Sequence, residues 1–98
     1  MIKKKSTQES SIEEYFTKKC KELDIFVLKN TGMRGIPDRL IIKNGHHFFV
    51  ELKKPGEKAR ELQQEVHRRL RRHGATVFTI DNKQDIDHVL DQIMQKES

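Results

Sequence analysis

Asp38, Glu51 and Lys53 sit on either side of an Asn44-Gly45 pair in the stretch "GIPDRLIIKNGHHFFVELKKPG", residues 35–56. Asn-Gly between apolar runs is the strongest short-range signal for a tight hairpin. Closing the turn on residues 44 and 45 pairs Lys43 with His46. Carried back along both strands, this register sets Ile41 opposite Phe48, Arg39 opposite Val50 and Asp38 opposite Glu51. Side chains alternate between faces, so Asp38, Glu51 and Lys53 project from one face with Leu40 and Phe49. Ile41, Phe48, Val50 and Leu52 fill the other. Opposed like charges destabilise a hairpin, because cross-strand Cβ atoms lie about 4.5–5.5 Å apart, unless a cation lies between them. Two hard carboxylates, a main-chain carbonyl such as that of Leu52, and waters suit Mg²⁺ or Mn²⁺. Lys53 points to the same place, where an ammonium can orient water or offset charge on a phosphoryl transition state. The set describes metal-assisted phosphodiester hydrolysis. A carboxylate-x-lysine triplet alone carries little weight: Asp81-Asn82-Lys83 is another, with no opposed carboxylate upstream.

The elements around this hairpin follow from periodicity. Residues 1–8 read as a flexible basic tail, and 9–98 as one domain. Ile12, Phe16, Cys20 and Leu23 recur at helical spacing from about Glu9. Residues 25–29 read as a strand and "NTGMRG" as a glycine-bearing loop. The strands 38–43 and 46–53 flank the turn. A helix is expected from about Glu57 to Arg72, with Ala59, Leu62, Val66 and Leu70 inward and Gly74 as its stop. Residues 75–80 read as a fourth strand, and Ile86, Val89, Leu90 and Ile93 mark a closing helix. The order is α-β-β-β-α-β-α, an α/β fold with a mixed sheet flanked by helices.

With 98 residues, the chain has room for one core. Apolar residues make up 34% and charged residues 36%, so the core is thin and the surface heavily charged. A thin core leaves self-association as a way to bury more surface. Twenty basic against 15 acidic side chains give a net charge of +5, which favours polyanions, nucleic acid first. The single cysteine, Cys20, excludes an internal disulfide and a cysteine-cluster metal site, and it reads as core. Neither a signal peptide nor a membrane span is read, so a cytoplasmic location is expected.

"ESSIEEYF" (9–16), "RGIPDR" (34–39), "FFVELKKPG" (48–56), "LQQEVHRRLRRHG" (62–74) and "VFTID" (77–81) follow one another in an order that resembles the virus-type, single-domain VRR-NUC nucleases. These belong to the PD-(D/E)XK, restriction-endonuclease-like superfamily. The resemblance spans roughly residues 9–93. It implies an αβββαβ core plus a C-terminal helix, a divalent metal and DNA cleavage. Asp38 matches the family's Pro-Asp carboxylate, Glu51 and Lys53 its E-x-K, and Gln63 its helix glutamine. Glu9 matches best the acidic residue of the first helix, acting on the metal directly or through water. Glu13 shares the same helix face and is its rival. The resemblance further implies a homodimer acting on branched DNA, notably four-way (Holliday) junctions. The alternatives are a nonspecific or flap-cutting nuclease and a non-catalytic DNA-binding module that keeps the fold.

Arg34 and Arg39 flank the acidic pair, and Lys54, Lys58, Arg60 and Arg68 are further candidates for tracking a phosphate backbone. "RRLRRH" (68–73) puts Arg68, Arg69, Arg71 and Arg72 round the exposed side of this helix, readable either as part of the same phosphate-tracking surface or as a solvated face with pairs such as Glu65–Arg69. His46 and His47 face opposite ways on a strand, with no zinc-like spacing nearby. His67 reads as packing, and no small-molecule cofactor is called for.

Overall fold

The computed structural model describes the backbone of residues 7–96 and the side chains of residues 11–96. Its elements run α1 (Thr7–Glu22), β1 (Phe26–Lys29), β2 (Arg39–Lys43), β3 (His46–Leu52), α2 (Glu61–Arg72), β4 (Val77–Ile80) and α3 (Lys83–Met94). The four strands form one sheet in the order β1-β2-β3-β4. β1–β2 and β2–β3 are antiparallel, and β3–β4 is parallel across the α2 crossover. This is the mixed α/β architecture expected.

The hairpin register is the one that the Asn-Gly turn dictates. Lys43 pairs with His46, Ile42 with His47, Ile41 with Phe48, Leu40 with Phe49 and Arg39 with Val50. Asn44 and Gly45 both hold positive φ, at 53° and 83°, as a type I′ turn requires. The ladder stops one step short of Asp38, which lies in the bend just before β2.

One face of the sheet carries the core. Ile12, Phe16 and Cys20 of α1 pack with Ile86, Val89, Leu90 and Ile93 of α3 over Ile41, Phe48, Val50, Leu52 and Ile80. The α1 and α3 stripes repeat at three- and four-residue steps, which places them on one side of each helix. Asn82 fixes the start of α3, where its side chain accepts from Asp85 N at 2.7 Å. α1 starts at Thr7, two residues ahead of its sequence reading.

α2 lies on the opposite face, against β4. It departs from expectation in two respects. It starts at Glu61 rather than near Glu57, so Ala59 precedes it. Leu62, expected inward, is 52% exposed, and the residue α2 buries is His67. Burial first, then Arg71 and Lys53, hold the His67 imidazole below its ordinary pKa. Arg71 clamps the far end of the helix by donating from Nη2 to Val77 O at 2.8 Å.

The loop leading into Asp38 is set by a close approach. Gly35 has φ +84°, and a Cβ there would lie 2.8 Å from Val66 Cγ2 and 3.1 Å from Leu62 Cγ. Gly45 has nearly the same φ with nothing within 4 Å. Gly45→Ala is therefore expected to cost about 1 kcal/mol from backbone strain alone. Gly35→Ala adds overpacking and should cost about 2–4 kcal/mol. Chemical denaturation of the two variants measures the difference, and equal losses would contradict the close approach.

Candidate active site

Glu51 is the centre of the site. It lies near the end of β3 on the α2 side of the sheet and is only 2% exposed. A buried carboxylate is costly unless hydrogen-bonded, and three donors from different parts of the chain converge on it. Asp38 N donates to Oε1 at 3.2 Å. Gln63 Nε2 donates to Oε2 at 2.9 Å, and Lys53 Nζ lies 3.3 Å from the same oxygen. Asp38 turns its own carboxylate to Leu52 N, which donates to Oδ2 at 3.1 Å. The two acidic residues are thus laced together through main-chain N–H groups as well as set side by side.

Gln63 is held at both ends of its amide. Its Oε1 accepts from Arg60 N at 2.9 Å, at the cap of α2. That bond commits Nε2 to face Glu51 as a donor. These groups line a polar cleft of about 380 Å³ formed by Asp38, Glu51, Leu52, Lys53, Lys54, Glu57, Arg60 and Gln63. The Leu52 side chain belongs to the core, so its main chain is the part on the cleft side.

No family model matches the chain. A protein of Acyrthosiphon pisum secondary endosymbiont phage 1 named "Putative nuclease p44" is 37% identical over 86 residues, covering 85% of this chain and 91% of that relative. A solved structure described as a VRR_NUC domain matches with a TM-score of 0.76 at 29% identity, over 88% of this chain and 97% of its own. The chain belongs to the VRR-NUC family. It is a nuclease domain by that membership, and the VRR-NUC fold implies DNA as substrate and a divalent metal as cofactor.

The cleft fits such a metal. Its ligand candidates are carboxylate and carbonyl oxygens, with no histidine or cysteine among the lining residues, which is the donor set of a hard divalent cation. Burial, then the Asp38 charge, push the Glu51 carboxyl above its ordinary value, against the pull of Lys53. A cation held by Asp38 and Glu51 would relieve that repulsion. Among the described residues, no third acid, histidine or cysteine joins them as a ligand cluster.

The VRR-NUC cleft brings together Asp38, Glu51, Lys53, Gln63, Lys54 and Arg60, all picked out in the sequence. Arg34 and Lys58 are placed on the loops before and after the hairpin. Arg68, on α2, is not among the residues that line the cleft. Arg39 differs from expectation. It is only 8% exposed and turned to the α1 face, where Nη2 lies 3.9 Å from Glu13 Oε2. Paired with Val50, it sits on the core side of the sheet and is not among the residues that line the cleft. The side chain of Glu9 lies outside the described residues. Cys20 is buried in the core and its thiol is pushed up to about 12 by burial, so it is no nucleophile.

Two residues of this neighbourhood were missed. Glu57 lines the cleft and accepts from Lys54 N at 3.2 Å. Asp81, at the end of β4, accepts from Gly56 N at 3.0 Å and so pins the 53–60 loop that carries Lys53, Lys54 and Arg60. That backbone bond, with Asn82, holds the Asp81 carboxyl below its ordinary value. The only sequence sign of it was the acid closing "VFTID".

The raised Glu51 carboxyl gives a pH test. The folded protein holds that proton to a higher pH than the unfolded chain does. Metal-free stability therefore falls as pH rises through and above the ordinary glutamate range. Asp38→Asn keeps an acceptor for Leu52 N but removes the repelling charge. Thermal melts in chelator should show the variant more stable than wild type at pH 7–8, with the gap closing toward pH 4. A gap independent of pH would contradict the coupling.

Proposed function

We propose that this VRR-NUC protein is a structure-selective DNA endonuclease that cuts branched DNA, four-way junctions above all, with Mg²⁺ or Mn²⁺ held by Asp38 and Glu51. The observation that carries the reading is the convergence of Asp38, Glu51, Lys53 and Gln63 on one small polar cleft. The Leu52 carbonyl completes the protein's share of the metal ligands, with Glu9 as the first-helix acid that supports the metal directly or through its waters and Glu13 as its rival. The bound metal supplies Lewis-acid activation of water and of the scissile phosphate. Lys53 positions the attacking water and neutralises developing negative charge. Gln63 fixes the Glu51 carboxylate and offers its amide to the phosphate side of the cleft. Lys54 and Arg60, at the cleft walls, and Arg34 and Lys58, nearby, hold the substrate backbone.

Resolution of a junction needs two incisions, and a two-fold dimer supplies two sites. Self-association is supported by the apolar surface left uncovered. Phe26 and Leu28 of the edge strand β1 are exposed, and so are Met33 and Leu62. Phe26 and Leu28 alternate with Val27, which packs against the core, so they lie on the α2 side of the sheet. Exposed large apolar side chains on an edge strand are candidates for an interaction surface. Among the described residues no helix is long and apolar enough to cross a membrane. A cytoplasmic location belongs to the same reading and is supported by the DNA substrate.

Cleavage of a labelled four-way junction beside a matched linear duplex tests this. With Mg²⁺ or Mn²⁺, paired nicks confined to the junction are expected, and none in chelator. Lys53→Ala should lower the rate by at least about 100-fold while leaving binding in place. Equal cutting of both DNAs would favour a nonspecific nuclease, and binding without cutting under either metal would favour a DNA-binding module. Light scattering should give twice the chain mass, and a monomer that still resolves junctions would overturn the dimer.

A further inference from the structure

The cleft uses only the first turn of α2. At the other end of the helix a separate concavity of about 580 Å³ is lined by Glu65, Arg68, Arg69, Arg71 and Arg72. It shares no residue with the cleft that holds Asp38 and Glu51. At 3.6 residues per turn, Arg68, Arg72 and Arg69 stand about 140°, 180° and 240° round the helix from Gln63. The arginines therefore face away from the cutting site, and Arg72 is about 13 Å further along the axis.

Four guanidiniums within five residues repel one another at i, i+3 and i+4 spacings. Among the described residues little offsets that. Arg68 pairs with Glu65 at 3.5 Å, with both side chains exposed, a pairing of small value in water. Arg71 is committed to Val77 O as the clamp of the helix end. The last-turn position against the helix dipole favours positive charge, but any base would serve that purpose. The choice of residue is selective. All four basic residues of α2 are arginine, whereas all three of α1 are lysine. Guanidinium forks match phosphate oxygens in pairs, which an ammonium does not. A merely solvated face has no need of the difference.

We infer that Arg68, Arg69 and Arg72 form a second phosphate-binding surface, which grips a duplex arm other than the one being cut. A straight duplex lying in the cleft leaves by the inner side of α2. A branched substrate sends a further arm past the outer side, where these three side chains wait. The surface is then what makes the enzyme prefer branched DNA, so this assignment rests on the branched-DNA reading above.

The test uses the full chain carrying Arg68→Gln, Arg69→Gln and Arg72→Gln together. Glutamine keeps helix propensity, and Arg71 is left in place to hold the fold, which a thermal melt checks. Binding to a four-way junction and to a linear duplex is measured in chelator across a salt series, and cleavage of both with metal. Junction affinity should fall at least 10-fold at low salt, and its log–log salt slope should drop by about 2–3, near one unit for each phosphate no longer neutralised. Linear binding and the cleavage rate at saturation should change less than 2-fold. The corresponding triple lysine variant should recover the salt slope but only part of the affinity. A wild type that prefers junctions and a triple glutamine variant that keeps the preference would overturn the assignment alone. Equal losses on both DNAs would overturn it in favour of a general grip on the backbone. A wild type that binds both DNAs alike would overturn the branched-DNA reading, and this assignment with it.

Discussion

A carboxylate buried at 2% exposure has to be surrounded by donors, and the architecture around Glu51 follows from where those donors come from. One is the main chain of the bend before β2, one is a lysine two residues along β3, and one is the first turn of α2. Three segments distant in sequence must therefore be brought to one point. The sheet sets two of them by register, and the crossover into β4 brings the third. Lys53 and the Asp38 main chain ease the ionisation of Glu51, while burial and the Asp38 charge oppose it, with opposition the stronger. The site is a place where the fold accepts a local cost that a bound cation would remove, and such places are where function is expected.

Gln63 joins helix capping to site chemistry. Its amide oxygen satisfies Arg60 N at the start of α2, which otherwise has no intrahelical partner. Its nitrogen is then obliged to donate to Glu51. The first turn of the helix and the orientation of the acidic centre are consequently one structural decision. This also explains why the helix starts at Glu61: the cap is made there, and residues 53–60 are free to arch over the cleft. Asp81 holds the arch from the next strand through Gly56.

The hairpin was legible because one dipeptide governs it. Asn44-Gly45 demands two positive φ values in succession, few other turns accept them, and all five observed pairs follow. The core stripes of α1 and α3 were legible for a similar reason, since three- and four-step spacing admits one buried face. Arg39 was in principle legible as well. Strand alternation puts it on the Val50 side, away from Asp38, and proximity in sequence to the acidic pair suggested otherwise. Where α2 begins was not legible, because "EKARELQ" (57–63) has helix-compatible composition throughout and its start is decided by a side-chain cap and a long-range loop tie. Leu62 shows the same limit: an apolar residue at helical spacing reads as inward until the helix start shifts its place relative to the sheet.

The distribution of charge follows from the same geometry. β3 has to carry Glu51 and Lys53 on one face and Phe48, Val50 and Leu52 on the other, so it can serve core and chemistry at once only by strict alternation. With both faces of its central strand committed, β3 offers α2 only Phe49 beside the charged pair, and α2 turns the half-buried Val66 and Leu70 toward the sheet. α2 is consequently held by polar ties at its two ends, Gln63 to Glu51 and Arg71 to Val77, rather than by a broad apolar stripe. A helix fixed at its ends leaves its outward side available for residues chosen for something other than packing, and in α2 those residues are arginines.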